Sequence, residues 1–358
     1  MPAISDYHVH FRDGEMLARV APESARYCGR VLAMPNLTPP VVGPQEAARY
    51  CAAIRAVVPA HLDVLLAVKL VPQTTPGIVT VCAAMPYVAA FKLYPAGVTT
   101  HSADGVPASV IDDPTSDQRF CDVLAEMERA KLVLCLHGEH PGEDDPFERE
   151  PRFHDFVRWA VSTYRDLRVV VEHITTAASV ELVRSLAWTE RVAATITPHH
   201  LMIHHGHMCG SAASAAEARF GCGDGKLHPH LFCWPIAKKP ADREALVGAA
   251  TGGAPTFFLG SDTAPHEVEA KESACGCAGV FTAPVLPEAL AQVFADRDAV
   301  DKLPAFVAES GDRFYRRLRA NAPTVRLVRR PWVVPERVAG VVPFLAGRTL
   351  DWQTEPGG

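Results

Sequence analysis

Short apolar runs alternate with longer amphipathic stretches along most of this chain. The runs are almost continuously apolar, as expected for strands that are covered on both faces. Eight of them predict β-strands, at residues 4–10, 30–35, 63–70, 88–94, 131–137, 168–173, 191–197 and 256–262. Strands separated by long connections of this kind indicate a parallel sheet.

The connections between the runs carry the periodicity of helices. The clearest is DQRFCDVLAEMERA at 117–130, where Phe120, Val123, Leu124 and Met127 fall on one helical face. We predict helices over 45–58, 117–130, 153–164, 178–186, 241–250 and 287–294. Eight strand-and-helix units fit an α/β fold of the (β/α)8 TIM-barrel type better than an open sheet. An open doubly wound sheet would usually carry a glycine fingerprint after its first strand, where this chain has HFRDGE.

The last part of the chain has a different character, with prolines between short β-like pieces. We interpret residues 321–358 as an extension packed on a barrel formed by about 4–320, so that residues 1–358 make one domain. No N-terminal β-sandwich is expected, because the first strand begins near the start of the sequence. The glycine- and alanine-rich stretch at 209–226 predicts an exposed loop.

Composition excludes several classes of protein. Apolar residues make up 48% of the 358 residues, enough for a large core, and the net charge of −6 comes without a basic block that would bind nucleic acid. No run reaches the roughly 18 apolar residues of a membrane span, and no signal peptide is visible, so we expect a cytoplasmic protein. The ten cysteines are then expected to be free thiols. We expect neither a Cys209–Cys222 disulfide nor a redox pair in CGC at 275–277.

Reactive polar side chains stand at the ends of five predicted strands, which is where TIM barrels place their active sites. They are His8, His10, Lys92, His137, His173 and Asp262. Alternation along a strand puts His8 and His10 on the same side. Imidazole and carboxylate ligands suit zinc or a neighbouring first-row metal.

Lys92 does not fit this set as an ammonium, because a protonated lysine repels a metal cation. Burial and nearby cations both lower the pKa of a lysine and favour the neutral amine. A neutral amine can add carbon dioxide and become a carbamate. That anionic group could bridge two metals and offset their charge.

Eight motifs in this order resemble the dihydroorotase family, specifically its short bacterial type within the amidohydrolase superfamily. The motifs are HVHFRD at 8–13, AMPN at 33–36, FKLYP at 91–95, LHGE at 136–139, EHITT at 172–176, ATITPHHL at 194–201, GSDTAPH at 260–266 and ESACGCAGVFTAP at 272–284. The resemblance covers almost the whole chain. It implies reversible cyclisation of N-carbamoyl-L-aspartate to L-dihydroorotate and water, a step of pyrimidine biosynthesis, by a homodimeric hydrolase.

The resemblance also implies a centre of two Zn²⁺ ions. One ion would be held by His8, His10 and Asp262, and the other by His137 and His173. Carbamylated Lys92 and a hydroxide would bridge them. Asp262 would act as general base or acid, moving a proton between the hydroxide and the ring nitrogen.

The resemblance places the substrate against Arg12, Asn36, Thr99, Thr100, His137, Trp234, His266 and Ala278. Arg12 would pair with the substrate carboxylate, and Thr99 and Thr100 would belong to a lid that excludes water. From the residues alone, Asn36 fits a turn equally well, and the two threonines fit an ordinary polar loop. The family commonly has leucine where this chain has Trp234, which leaves the shape of the pocket open.

Three alternatives are weighed against this interpretation. A hydantoinase-type hydrolase would usually carry an N-terminal segment before its first histidines, and Arg12 favours a substrate with a carboxylate. An inactive scaffold would typically have lost metal ligands, whereas all six positions are filled here. A third metal site in the histidine-rich segment 199–207 is not expected, because its spacing matches no closed zinc motif.

Overall fold

A computed structural model of the protein describes residues 1–100, 102–211, 225–274, 276–319 and 323–355. Its main sheet has eight parallel strands, each hydrogen-bonded to the next in chain order. These strands are β1 Ile4–Val9, β2 Cys28–Ala33, β3 Asp63–Leu70, β4 Val88–Leu93, β5 Val133–His137, β6 Arg168–Glu172, β7 Val192–Ile196 and β8 Phe257–Leu259. All eight fall inside or within two residues of the predicted runs.

The barrel closes where β1 meets the residues that follow β8. The backbone N–H of Asp262 donates to the carbonyl of His8 at 2.9 Å, and the N–H of His10 donates to the carbonyl of Thr263 at 2.9 Å. The (β/α)8 barrel predicted from the apolar pattern is therefore confirmed. The closure also brings the ends of the first and last strands of the barrel into direct contact.

Helices pack around the barrel. Their bounds are α1 Gly14–Ala25, α2 Pro44–Val57, α3 Pro76–Ala83, α4 Ala108–Asp112, α5 Gln118–Arg129, α6 Arg149–Thr163, α7 Ala177–Leu186, α8 Pro198–Met202, α9 His205–Met208, α10 Pro240–Thr251, α11 Val268–Lys271, α12 Leu286–Ala295 and α13 Ser310–Phe314. The side chain of Asp117 caps α5 by accepting from the N–H of Phe120 at 3.1 Å. The predicted apolar face of α5 is buried.

Helices α1 and α3 were not predicted from the sequence pattern, and each omission has a physical reason. Helix α1 contains Pro22, which normally argues against a helix interior. Helix α3, PGIVTVCA, has no charged residue and therefore lacks a polar face, so its sequence resembles a buried strand. Its start is nevertheless specified by Thr75, whose hydroxyl accepts from the N–H of Ile78 at 3.3 Å.

The amino end of the barrel is closed by a buried carboxylate. Asp312 accepts hydrogen bonds from Ser5 Oγ at 2.6 Å, Tyr7 Oη at 2.8 Å, Arg30 Nη1 at 2.9 Å and Arg319 Nε at 3.0 Å. A buried carboxylate needs such partners, because its desolvation is otherwise costly. This cluster ties the first two strands to α13 and lies at the opposite end from the predicted metal ligands.

The tail forms an antiparallel hairpin of β9 Arg326–Val333 and β10 Thr349–Glu355. Strand β10 contacts α12, where Gln292 Oε1 accepts from the N–H of Asp351 at 3.2 Å. Glu288 Oε1 likewise accepts from the N–H of Thr354 at 3.0 Å. These contacts support an extension docked on a barrel helix, and the assignment of residues 1–358 to one domain stays a prediction.

Some expectations concern cysteines, loops and membranes. The described cysteines are free thiols: Cys28, Cys51, Cys82, Cys121, Cys135, Cys209, Cys233 and Cys277. Cys222, Cys275 and most of the predicted 209–226 loop lie outside the described residues. Every described helix is too short or too polar to traverse a bilayer.

Replacing Asp312 with alanine should lower the free energy of unfolding by about 3–5 kcal/mol, because Arg319 would lose its carboxylate partner and Arg30 would keep only Asp63. Urea titration followed by intrinsic fluorescence measures this change. Asp155→Ala is the control, since the Asp155 side chain is 99% exposed and its loss should change stability by less than about 0.5 kcal/mol. Equal midpoints for the two variants would contradict the prediction.

Candidate metal centre

Two histidines and an aspartate converge where β1 meets the end of β8. His8 Nε2 lies 3.5 Å and His10 Nε2 lies 3.3 Å from Asp262 Oδ1. One ligand atom from each of the three residues fits within 4.8 Å of the others. Strand alternation and barrel closure thus bring these groups close enough to share one metal ion.

The other two predicted histidines stand beside this group. His137 ends β5 and His173 follows β6, and their ring centroids are 4.8 Å apart. The ring of His173 is also 5.0 Å from that of His8. The imidazoles therefore form one continuous cluster across three strand ends.

Three residues of the site adopt backbone conformations that are unusual for residues with a side chain. The φ angles are 65° at Arg12, 38° at His173 and 47° at Asp262. Non-glycine residues rarely adopt positive φ, and such strain concentrates at functional sites. Each residue follows a barrel strand closely, so the chain turns sharply to aim these side chains over the barrel mouth.

Lys92 lies in β4, one residue before its end, and is completely buried. Its Nζ has no hydrogen-bond partner among the described residues and lies 5.3 Å from the centroid of the Tyr94 ring. Burial lowers the pKa of Lys92, against the charges of Glu172 and other groups that raise it. The neutral amine required for carbamylation is therefore favoured.

Several buried nitrogen atoms at this end of the barrel lack partners. Within the described part of the chain, His8 Nε2, His173 Nδ1 and Lys92 Nζ are buried and accept or donate no hydrogen bond. Leaving buried polar atoms unpaired normally costs about 1–3 kcal/mol each. A metal ion bound by the imidazoles and by a modified lysine would satisfy all three, so the donor set fits such a centre.

Two buried glutamates orient the candidate ligands, and the sequence analysis missed both. Glu172 Oε2 lies 2.9 Å from His8 Nδ1, and Glu139 Oε2 lies 2.8 Å from His137 Nε2. Carboxylates in this position fix the ring orientation and tautomer of metal-binding histidines. The sequence contained a signal for Glu139, which stands two residues after its partner His137 in LHGE, but not for Glu172, whose partner His8 is 164 residues away.

The charge states suit metal binding. Burial lowers the pKa of both His137 and His173, which keeps their rings neutral. At Asp262 burial opposes ionisation, but the hydrogen bond to His10 and the nearby His8 outweigh it, and the pKa falls well below its usual range. The centre thus offers the neutral imidazoles of His137 and His173 and an ionised carboxylate at neutral pH.

A cavity of about 400 Å³ opens beside these ligands. Its lining includes six of the predicted substrate contacts besides His137: Arg12, Asn36, Thr99, Thr100, Trp234 and Ala278. The lining also contains His10, Tyr94, His173, Asp262, Ala264 and Gly279. Among the described residues that line it, Asp262 alone carries a carboxylate.

One wall of the cavity is cationic. Arg12 Nε donates to the carbonyl of Pro265 at 2.9 Å, and Arg12 Nη2 lies 2.8 Å from His266 Nε2. His266, the eighth predicted contact, therefore stands behind Arg12 rather than in the lining. No carboxylate of the described residues pairs with Arg12, so its guanidinium is available for an anionic ligand.

The predicted lid loop lies against this wall. Asn36 Nδ2 donates to the carbonyl of Thr100 at 2.6 Å, and the N–H of Thr99 donates to Ser102 Oγ at 3.0 Å. Asn36 therefore contacts the loop across the cavity, which goes beyond a local turn role. His101, in the same loop, lies outside the described residues.

Trp234 also lines the cavity. The guanidinium carbon of Arg149 lies 5.0 Å from the centroid of its ring, within the range of a cation–π contact. This contact positions the large side chain that replaces the leucine common in the resembling family. The sequence pattern contained no signal that Arg149, at the start of α6, would meet it.

A second group of possible metal ligands is buried after β7. Ligand atoms of His199, His200 and Cys233 lie within 4.8 Å of one another. Both nitrogens of His200 have ordinary partners, however, with Nδ1 2.9 Å from Thr197 Oγ1 and Nε2 3.0 Å from the carbonyl of Pro235. Hydrogen bonding accounts for His200, and the absence of a third metal site at 199–207 stays a prediction.

A parallel barrel that carries these ligands at the carboxyl ends of its strands defines a metal-dependent amidohydrolase. Comparison with curated proteins finds dihydroorotases, for example those of Teredinibacter turnerae, 40% identical over 98% of this chain and 96% of the relative, and of Erwinia tasmaniensis, 42% identical over 97% and 95%. No protein-family model matches the chain. The identity and coverage show that the chain belongs to the dihydroorotase family.

Solved structures give the same result. The dihydroorotase of Saccharomyces cerevisiae in complex with 5-fluoroorotic acid superposes with a TM-score of 0.87 at 29% identity, covering 99% of this chain and 97% of that one. The dihydroorotase of Campylobacter jejuni gives 0.85 at 31%, covering 99% and 96%. An L-hydantoinase from Arthrobacter aurescens gives 0.78 at 16% over 98% and 82%, which shows a common fold alone.

Glu172→Gln should weaken metal binding by about 10–100-fold, because the amide cannot hold His8 as the carboxylate does. Competition with a chelator, followed by metal analysis, measures the affinity. Glu181→Gln on α7 is the matched control, since the Glu181 side chain is 69% exposed. Retention of wild-type affinity by Glu172→Gln would show that this contact does not support the centre.

Proposed function

We propose that the chain interconverts N-carbamoyl-L-aspartate and L-dihydroorotate at a binuclear zinc centre. Membership of the dihydroorotase family supports the reaction. The observation that carries the proposal is the unpaired Arg12 guanidinium in the same cavity as the candidate metal ligands. A cyclic amide that bears a carboxylate matches a cavity with a cation on one wall and a hydrolytic centre at its base.

In this proposal His8, His10 and Asp262 would hold one zinc ion, and His137 and His173 would hold the other. A carbamylated Lys92 would add an anionic ligand to the centre, which is supported by its complete burial and its Nζ without a partner among the described residues. When bound, the metal ions would lower the pKa of a water molecule and polarise the scissile carbonyl.

Arg12 orients the substrate by pairing with its carboxylate through two parallel N–H donors. Asn36 lines that end of the pocket, and His266 supports Arg12 from behind. This pairing fixes the ring so that its amide lies over the metal ligands. Orientation of this kind lowers the free-energy barrier of the reaction, because the entropy cost of bringing the reacting groups together is met on binding.

Asp262 is the proposed general base and acid, which transfers the proton between water and the ring nitrogen. Its carboxylate is ionised, lines the cavity and contacts both His8 and His10. It can take a proton from water at its Oδ atoms and deliver it to the ring nitrogen during hydrolysis, with the reverse transfer during cyclisation. Among the described lining residues it is the one carboxylate placed for this role.

The loop with Thr99 and Thr100 excludes water from the cavity. Both residues line the cavity, and the carbonyl of Thr100 is held by Asn36. A closed loop strengthens the electrostatic contacts beneath it, because fewer solvent molecules screen them. The hydroxyls of both threonines would add hydrogen bonds to the substrate.

The two rival functions are less well supported. The hydantoinase likeness rests on fold alone, and Arg12 has no evident use with an uncharged ring. An inactive scaffold does not explain why all six candidate ligands are present and grouped. A cytoplasmic location and a homodimer are implied by the resemblance and stay predictions.

The proposed function is tested by measuring dihydroorotate hydrolysis and metal content on one purified sample. We expect about two zinc ions per chain, in line with the two sets of ligands, and turnover of dihydroorotate in preference to dihydrouracil. Turnover of dihydrouracil alone would favour the hydantoinase alternative. Absence of both metal and activity after addition of zinc and bicarbonate would favour the scaffold.

Lys92→Ala should lose bridging metal and lower kcat by about 10³-fold, because no anion would then offset the two cations. Metal analysis and a turnover assay on the same preparation measure both effects. Lys302→Ala is the control, since Lys302 is exposed and should leave metal content and turnover unchanged. Normal turnover in Lys92→Ala would refute the bridge.

Arg12→Met should raise KM for dihydroorotate by about 10–100-fold, because a charge-assisted contact worth roughly 1.5–3 kcal/mol is lost. Metal content should stay at the wild-type level, since Arg12 contacts none of the candidate ligands directly. Steady-state kinetics with metal analysis separates the two effects. An unchanged KM would rule out the carboxylate pairing.

A further inference from the structure

Lys271, the last residue of α11, is a buried cation without a described carboxylate partner. It is 3% exposed, and its Nζ donates to the carbonyls of Phe232 at 2.9 Å, Cys277 at 2.8 Å and Gly279 at 2.8 Å. Burial lowers its pKa to about 8, so the ammonium form still dominates at neutral pH. All three N–H donors of the ammonium are therefore used, and its charge is balanced by no neighbouring anion among the described residues.

The three carbonyls belong to two segments that build the wall of the substrate cavity. Phe232 stands two residues before Trp234, and Cys277 and Gly279 flank Ala278. The N–H of Gly279 also donates to the carbonyl of Phe232 at 2.9 Å, which joins the two segments. Lys271 thus holds together the backbone from which Trp234 and Ala278 face the cavity.

The fit around Gly279 is tight. Its φ is +149°, and a Cβ atom there would lie 2.5 Å from the carbonyl oxygen of Ala264 and 3.0 Å from His266 Cδ2. A side chain at position 279 would therefore collide with the backbone of Ala264, so this close approach requires glycine.

The carbonyl of Ala278 lies between the two that accept from Lys271 and contacts a different residue. The carbonyls of Cys277 and Gly279 contact the ammonium, whereas that of Ala278 lies 2.9 Å from His266 Nε2. The same Nε2 is 2.8 Å from Arg12 Nη2. Lys271 therefore connects through one short segment to the residues that face the substrate carboxylate.

His266 Nε2 cannot serve both neighbours with one proton. Burial, followed by the charge of Arg12, lowers the pKa of His266 to about 3, so the ring is neutral at pH 7. If Nε2 carries the proton, it donates to the carbonyl of Ala278, and Arg12 Nη2 then faces a donor and needs an acceptor elsewhere. If Nε2 is bare, it accepts from Arg12 and the carbonyl of Ala278 loses its donor.

We propose that Lys271 is a positioning residue of the carboxylate pocket: it fixes residues 277–279 so that the Ala278 carbonyl holds the ring of His266, against which Arg12 stands, and so sets where Arg12 meets the substrate carboxylate. The inference rests on the proposed function, because it assumes a carboxylated substrate. The uncompensated charge of Lys271 adds a second attraction for that anion from behind the wall.

A purely structural role for Lys271 makes a different prediction. If the ammonium only joined two loops, its loss would lower stability, metal content and kcat together. A positioning role for the carboxylate pocket affects mainly KM, because the metal ligands and Asp262 stand on other segments. The change in KM relative to the change in kcat therefore distinguishes a positioning role from a purely structural one.

The test compares Lys271→Met and Lys271→Gln with the wild type, using dihydroorotate as substrate. We expect KM to rise about tenfold, the loss of roughly one charged hydrogen bond, while kcat and zinc content change by less than about threefold. Gln keeps two N–H donors without the charge, so it serves if the Met variant does not fold. Leu124→Ala, a core change in α5, controls for lost stability and should leave KM unchanged.

An unchanged KM in the folded variant would overturn the proposal, and so would a joint loss of zinc and kcat. Failure of the proposed function is recognised separately, because the wild type itself would then not hydrolyse dihydroorotate. If Leu124→Ala raised KM as much as the Lys271 variants do, the effect would be assigned to lost stability and the positioning role rejected.

Discussion

The site depends on the closure of the barrel between β1 and β8. Two backbone hydrogen bonds join the end of β1 to residues 262 and 263, and they set the distance between the histidine pair and Asp262. The side chain of Asp6 strengthens this seam, since its Oδ1 accepts from the N–H of Ser261 at 2.8 Å and from that of His8 at 3.2 Å. An open sheet of the same strands would leave the first and last ligands at opposite edges.

Closure of the barrel also buries several ionisable side chains together, so their charges have to be balanced. Five imidazole and amine groups face a small volume, and burial lowers the pKa of most of them, so they resist protonation. Glu172 and Glu139 bring negative charge from outside the ligand set. Glu139 is itself 3.9 Å from buried Lys238, so charges alternate outward from the candidate metals. This arrangement holds the ligands in place before a metal binds.

Sequence reasoning predicted the fold, which the structure confirms, and a set of candidate ligands at the strand ends, because both follow from local patterns. Continuous apolar runs and strand-end residues are visible in one dimension, and parallel topology places all strand ends together. Contacts that depend on the paths of loops could not be predicted from the sequence. Nothing in the sequence shows that Arg149 meets Trp234 or that Asn36 holds Thr100, because those pairs are set by backbone turns of irregular loops. Glu172 and Glu139 were missed for a different reason: they stood inside the motifs but were not given a role.

The candidate metal centre and the substrate wall come from different parts of the fold. The strand ends supply the hydrolytic groups, and hydantoinases at 16% identity or below have the same fold. The wall formed by 232–234 and 277–279 comes from loops, which can vary without disturbing the barrel. Here that wall, together with Arg12, carries two cations and no described carboxylate, which suits an anionic ligand. In the proposed function, selectivity for a carboxylated ring would come from loop backbone held in place, whereas hydrolysis would come from the groups at the strand ends of the closed barrel.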